Sequence, residues 1–271
     1  WRFRPEWAPR DPGLLRVARL MGPATAGLAA VEVNIVVNSY FASREAGAVS
    51  WLDFAFRLLY LPVGLFGVAL GTIATAGLAR RAAEGDMDGL RNTLRQSLSM
   101  LAYLTVPATV GLMVLGVPVV RLLYERGRFT PADTQATAAA LLLYSIGLVG
   151  YTGVKVLAPA FYALGRPRVP LVASVSAVAT NLVVVLLLHG SLGFRAIALG
   201  TALGSLVNAG LLVGLFERRV GGLFGHGLFR PVGRMAASAA AMGALAWLAA
   251  AGLERLVGTS GLGAQVATGL L

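Results

Sequence analysis

The sequence predicts an all-α, polytopic transmembrane helix bundle, and three observations predict it. Hydrophobic residues make up 57% of the 271 positions and charged residues 13%, more apolar surface than a water-soluble fold of this length can hide. Several windows of about 20 residues carry no charge, which is too long for buried core helices and right for a hydrocarbon layer about 30 Å thick. No segment alternates apolar and polar residues over about 10 positions, as the strand of a membrane barrel would.

At the N-terminus, residues 1–20 are rich in Arg and Pro, and GLLRVARL at 13–20 sets Arg16 and Arg19 apart from Leu14, Leu15 and Leu20, the pattern of a short interfacial helix. Seven spans come next, near 21–43, 50–79, 97–120, 135–164, 169–189, 195–216 and 235–253, and an eighth begins near 261. Each is long enough to cross the layer as a helix, the one open-ended structure that satisfies its own backbone there. The segment 80–96, RRAAEGDMDGLRNTLRQ, mixes acids with four arginines and reads as a solvated amphipathic connector. The chain starts at Trp1 and stops inside a fresh apolar run, so it reads as a piece of a longer protein.

Charge distribution tests this layout. If the spans alternate in direction, one side collects Arg2, Arg4, Arg10, Arg16, Arg19, Arg80, Arg81, Arg91, Arg95, Arg166, Arg168, Arg218, Arg219, Arg230 and Arg234. The other side collects Arg44, Arg121, Arg126, Arg128, Arg195 and Arg255. With Arg57 and Lys155 inside spans, the 23 basic residues are accounted for, split 15 to 6. That asymmetry predicts a cytoplasmic N-terminal segment. It also argues against nucleic acid as the partner of a chain with net charge +11, because the arginines lie between apolar spans rather than on a reading face. The absence of cysteine excludes disulfides and thiolate metal sites.

Polar residues within the spans are the candidate functional residues, since a charge facing lipid at the bilayer centre costs roughly 2.5–3.5 kcal/mol. Asp53 and Arg57 stand four apart on one helix face, where they can pair or both face water. The guanidinium of Arg57 is a planar donor fork suited to phosphate oxygens, which points to an anionic ligand. Pro62, with Gly64, Gly67 and Gly71 after it, predicts a kink and close packing. Lys155 lies about ten residues from the nearest span end and is expected to face a cavity or an acid, with Glu32 the candidate partner. Asn34 and Asn38 form a second polar stripe. Asn181, Thr180 and Thr201 are candidates for a monovalent-cation site, although interhelical hydrogen bonding accounts for them equally. His189 and His226 lack metal-ligand spacing, and neither a metal nor a cofactor is expected. The acids outside the spans are scattered, which argues against a membrane-embedded enzyme.

Four stretches resemble one family: RLMGPATAGLAAVEVNIVVNSYFAS at 19–43, GAVSWLDFAFRLLYLPVGLFGVALGT at 47–72, VRLLYERGRFTPADT at 120–134 and VKVLAPAFYALGRPRVP at 154–170. They are similar to the MurJ (MviN) lipid II flippases of the multidrug/oligosaccharidyl-lipid/polysaccharide exporter superfamily. The resemblance implies two pseudosymmetric six-helix lobes and a terminal helix pair, of which this chain looks like the second lobe and the pair, its last helix cut short. It implies a lobe at 21–216 behind a cytoplasmic linker at 1–20, a cytoplasmic loop at 217–234, and a further helix and the start of another at 235–271. The implied activity is alternating access in the bacterial cytoplasmic membrane, carrying an undecaprenyl-diphosphate-linked peptidoglycan precursor to the outer leaflet. Another polyprenyl-linked oligosaccharide or polysaccharide is the alternative cargo. The implied partners are that substrate, membrane lipids and the first lobe of the same protein. Arg57 matches the cavity arginine of the second lobe and Lys155 a lysine of the family pattern, with Asp53 beside them as substrate-binding. Ion coupling is implied more loosely, through Glu32, Asn38, Asn181 and Thr201. Where some members carry an acid three positions after the arginine, this sequence has Tyr60.

Overall fold

The structure, a computed structural model, describes residues 32–223 together with 233, 235, 237–246 and 248. The expected interfacial helix at 1–20, the beginning of the first span, His226 and the eighth span lie outside the described residues. Helix α1 covers 32–42, α2 Ala48–Pro62, α3 Ala69–Ala83, α4 Met87–Val114, α5 Gly116–Tyr124, α6 Pro131–Ile146, α7 Leu148–Ala163, α8 Arg168–Leu192, α9 Arg195–Arg219 and α10 Ala237–Ala246.

Helices α2 and α3 are one continuous element of 36 residues, joined by a π-helical turn at Val63–Val68. Pro62 explains the joint, because its ring has no N–H to donate and crowds the carbonyl one turn earlier; a widened turn absorbs both without ending the helix. The expected kink is therefore a local widening. The segment read as a solvated connector at 80–96 is mostly helical. Helix α3 runs to Ala83, the chain turns tightly through Gly85 at φ +71°, and α4 starts at Met87. Asp86 caps α4 by accepting the Gly89 N–H at 2.8 Å and pairs with Arg81 at 2.6 Å. That backbone N–H, aided by Arg81 against a smaller desolvation effect, holds the Asp86 carboxyl below the usual carboxylate range.

The span read at 97–120 ends earlier, at Val114, and a break at Leu115 starts the separate helix α5. The span read at 135–164 is two helices, α6 and α7, bent by 43° around Gly147. Helix α6 opens with a reciprocal capping box between Thr130 and Asp133, with Pro131 at its first position. Among the described residues four helices are long and apolar enough to cross a membrane, five with the α6–α7 pair.

Glycines set the register between helices. A Cβ on Gly67 would meet Thr152 at 3.1 Å and one on Gly71 the Lys155 carbonyl at 2.7 Å, so α3 and α7 run parallel in near backbone contact. Gly200 faces Asn181 at 3.0 Å and Gly204 the Ala177 carbonyl at 2.6 Å, which makes α8 and α9 antiparallel. Gly147 abuts Ala202, Gly150 abuts Ser205 and Gly153 faces Ala209, so α7 and α9 run parallel. These directions agree with the alternation assumed in counting arginines.

Two cores result, one at each end of the bundle. One joins Leu52, Leu59, Val120, Leu141, Leu148 and Ile197; the other joins Leu78, Leu90, Phe161, Val169, Phe216 and Leu223. Leu65, Ile73, Leu186 and Leu187 remain exposed on the outside, as lipid-facing positions of a membrane bundle do.

Candidate functional site

Arg57 and Asp53 pair in the structure, with guanidinium nitrogen and carboxylate oxygen 2.7 Å apart. Their side chains are 66% and 54% exposed, respectively. The cause is helical phase: Leu52, Ala55, Leu58, Leu59 and Pro62 form the buried stripe of α2, and Asp53, Arg57 and Tyr60 fall on the opposite face. Phe54 lies on one flank with its ring 5.8 Å from the Arg57 guanidinium carbon, within cation–π range. Phe56 lies on the other, packed edge-on against Tyr144 and Tyr151. These contacts hold the start of α2 while leaving the pair open. The uncharged run 58–79 begins immediately after Arg57 and is about 33 Å long at 1.5 Å per residue. Arg57 therefore lies within the membrane-spanning α2–α3 element, just before its uncharged stretch.

Lys155 lies elsewhere. Its backbone touches Gly71, fourteen residues beyond Arg57 on the continuous α2–α3 element, which places it about 21 Å further along the axis. Its side chain is exposed and shares a face of α7 with the exposed Tyr162. Among the described residues neither Lys155 nor Glu32 makes an ion pair, so the expected pairing of the two is not formed.

Asn181 and Thr201 do meet. The Asn181 amide donates to the Thr201 hydroxyl at 2.9 Å, and that hydroxyl donates in turn to the Ile197 carbonyl at 2.7 Å. The Asn181 carbonyl oxygen is buried and has no hydrogen-bond partner among the described residues, as is also true of the Asn38 carbonyl oxygen. Thr180 turns back to the Ser176 carbonyl of its own helix, so it does not join Asn181.

Two tie points escaped the sequence reading. At the Arg57 end, the Trp51 indole donates to Asp133 at 2.7 Å and Glu45 accepts the Phe194 N–H at 3.0 Å, pinning α2 to the start of α6 and the turn before α2 to the start of α9. At the other end, Arg91 and Arg95 each donate to a backbone carbonyl just past α9, of Val220 and Gly222 respectively, both at 2.7 Å. The chain turns there through Gly221 and Gly222, at φ +73° and +79°, and buries Leu223. A Gly-Gly pair after a long apolar run signals such a turn, but which side chains reach it depends on a helix some 130 positions earlier in the chain.

A helical bundle with apolar outer faces, close glycine contacts and a charged pair within a span defines a polytopic membrane protein. The family described as "Lipid II flippase MurJ" matches residues 1–261, and the chain belongs to that family. Similar relatives are a probable lipid II flippase MurJ of Vibrio cholerae, 35% identical over 210 residues, and one of Rhizobium meliloti, 35% identical over 209. Each alignment covers 77% of this chain and 40% or 38% of the relative, so the chain spans about two-fifths of the length of these relatives. A solved structure described as "Lipid II flippase MurJ, inward closed conformation" has the same fold over 98% of this chain and 54% of its own, with a TM-score of 0.75 at 22% identity.

Proposed function

We propose that this chain forms one lobe, at 21–216, of a flippase that carries a polyprenyl-diphosphate-linked peptidoglycan precursor, lipid II, across the bacterial cytoplasmic membrane. The remaining length of the protein supplies the facing lobe, and the two rock to open the path to either side. The observation that carries this reading is Arg57, an exposed guanidinium within a membrane span, aimed away from the buried stripe of its own helix. Family membership makes the diphosphate its natural ligand.

The arginines support an orientation. Arg80, Arg81, Arg91, Arg95, Arg166, Arg168, Arg218 and Arg219 collect at one end of the described bundle, against Arg44, Arg121, Arg126, Arg128 and Arg195 at the other. The first end is then cytoplasmic, with the N-terminal segment and the loop at 217–234 on that side and a further helix in 235–271. A headgroup crossing outward meets Lys155 nearer the cytoplasmic end and Arg57 nearer the outer one. Asn181, with its unpartnered buried oxygen, and Thr201 are the favoured ion-coupling pair; Glu32 and Asn38 on α1 complete the candidates.

The test is a chimera in which this chain replaces the matching part of the Vibrio cholerae relative, expressed in cells depleted of their own flippase. Growth is expected to return with the wild-type chain and to be lost with Arg57→Ala at equal membrane abundance. Growth unaffected by Arg57→Ala would refute the role given to this arginine.

A further inference from the structure

We propose that Asp53 is a built-in competitor that reserves Arg57 for diphosphate-bearing ligands and keeps singly charged phospholipid headgroups off it. The inference rests on the reading of Arg57 as a phosphate-contacting residue and adds a specificity-determining partner to it.

The observations are geometric. Arg57 directly precedes the uncharged run 58–79 within the continuous α2–α3 element, and its side chain is 66% exposed. A bare, exposed guanidinium on a membrane-spanning helix would attract anionic phospholipids, which are present in large excess over any one lipid-linked precursor. Asp53 prevents this by occupying one guanidinium nitrogen at 2.7 Å from the preceding turn, so that the pair presents no net charge to the surrounding lipid. A phosphodiester carrying one negative charge would replace a carboxylate carrying one negative charge. It gains nothing by the exchange and leaves Asp53 uncompensated. A sugar-linked diphosphate brings two negative charges close together, and the guanidinium has further N–H donors to receive the second phosphate. It therefore outcompetes the carboxylate where a phospholipid does not. Asp53 makes no other hydrogen bond or ion pair among the described residues, and its carboxylate is 54% exposed, so it is free to swing away when displaced. Direct contact between Asp53 and an anionic headgroup is disfavoured by like charge, which separates its role from that of Arg57.

The experiment uses the chimera in which this chain replaces the matching part of the Vibrio cholerae relative, in nanodiscs of phosphatidylcholine, with and without phosphatidylglycerol. The probe is an undecaprenyl-diphosphate-linked disaccharide pentapeptide, and its apparent Kd is measured. For the wild type, phosphatidylglycerol is expected to shift Kd by less than about twofold. For Asp53→Asn it is expected to weaken probe binding about fivefold, the upper range for losing one exposed ion pair. Asp53→Ser removes the same charge with a smaller side chain and should behave alike, with helix content checked by circular dichroism. Equal insensitivity of the wild type and both variants to phosphatidylglycerol would overturn the proposal. So would loss of probe binding or of helix content in both variants, which would make Asp53 a structural support. Arg57→Ala separates the competitor role from the phosphate reading beneath it. Undiminished binding by Arg57→Ala, or none by the wild type, sinks the phosphate reading itself. Lost binding by Arg57→Ala alongside phosphatidylglycerol-insensitive Asp53 variants sinks only the competitor role.

Discussion

Replacing Gly204 with Ala tests whether glycine contacts, rather than hydrophobicity, hold α8 and α9 together. A methyl at Gly204 would come 2.6 Å from the Ala177 carbonyl oxygen, about 0.8 Å short of the 3.4 Å at which ordinary contact begins. The obstacle is backbone, so no rotamer change relieves it and the two helices must part over the stretch that includes Gly200 and Asn181. Overpacking of this kind costs about 1–3 kcal/mol, and parting the helices also strains the bond from Asn181 to Thr201. Gly210 and Gly214 are internal controls on the same helix, since a methyl at either meets nothing within 4 Å. There Gly→Ala removes backbone freedom and favours the helix by about 0.5–1 kcal/mol. The assay is reversible unfolding of the purified chain by SDS titration in mixed micelles, monitored by circular dichroism. Gly204→Ala should unfold at lower SDS than the wild type, and Gly210→Ala at equal or higher SDS. Equal midpoints for Gly204→Ala and Gly210→Ala would refute the claim that close approach at Gly204 matters.

Two further predictions concern the Arg-rich end. Removing Arg91 and Arg95 together should free the turn through Gly221 and Gly222, because two charge-assisted bonds to its carbonyls, each worth about 1–2 kcal/mol in a half-buried setting, are lost; hydrogen exchange at Leu223, whose N–H donates to Glu217 at 2.8 Å, should then speed up, and unchanged protection would show that this bond and the burial of Leu223 hold the turn without the arginines. Asp86 should give the α3–α4 turn an acid-sensitive component: its carboxyl titrates lower when folded than its ordinary value of 3.8, so its stabilisation is complete above that value and fades as pH falls through it. Asp86→Asn should flatten that part of the unfolding profile, and an unaltered acid limb would assign the sensitivity to other groups.

The polar residues divide by how local their reasons are. Asp53 and Arg57 were legible because a spacing of four on a helix puts two side chains on one face whatever surrounds them, and the 2.7 Å pair is that local geometry realised. Pro62 was legible as a disturbance, but whether the helix kinked, stopped or widened was settled by the packing of Gly67 and Gly71 against α7, which keeps the element continuous. Lys155 was legible as an unusual charge, but its neighbours were not, because nothing in one chain's order tells which helix a side chain lies beside.

What the sequence by itself determined is the membrane class of the protein, the relative directions of its described helices and the face shared by Asp53 and Arg57. These depend on hydropathy, charge placement and helical phase, which are properties of single segments. Only the tertiary structure decided that α6 and α7 bend apart at Gly147, that 80–96 is largely helix, that Arg57 and Lys155 are offset by about 21 Å along the helix axis, and that Arg91 and Arg95 close the end of α9. Each of those outcomes depends on which backbone comes within contact of which. In lipid that choice is made by small residues and unpaired carbonyls spread across several helices, and no single stretch of sequence contains it.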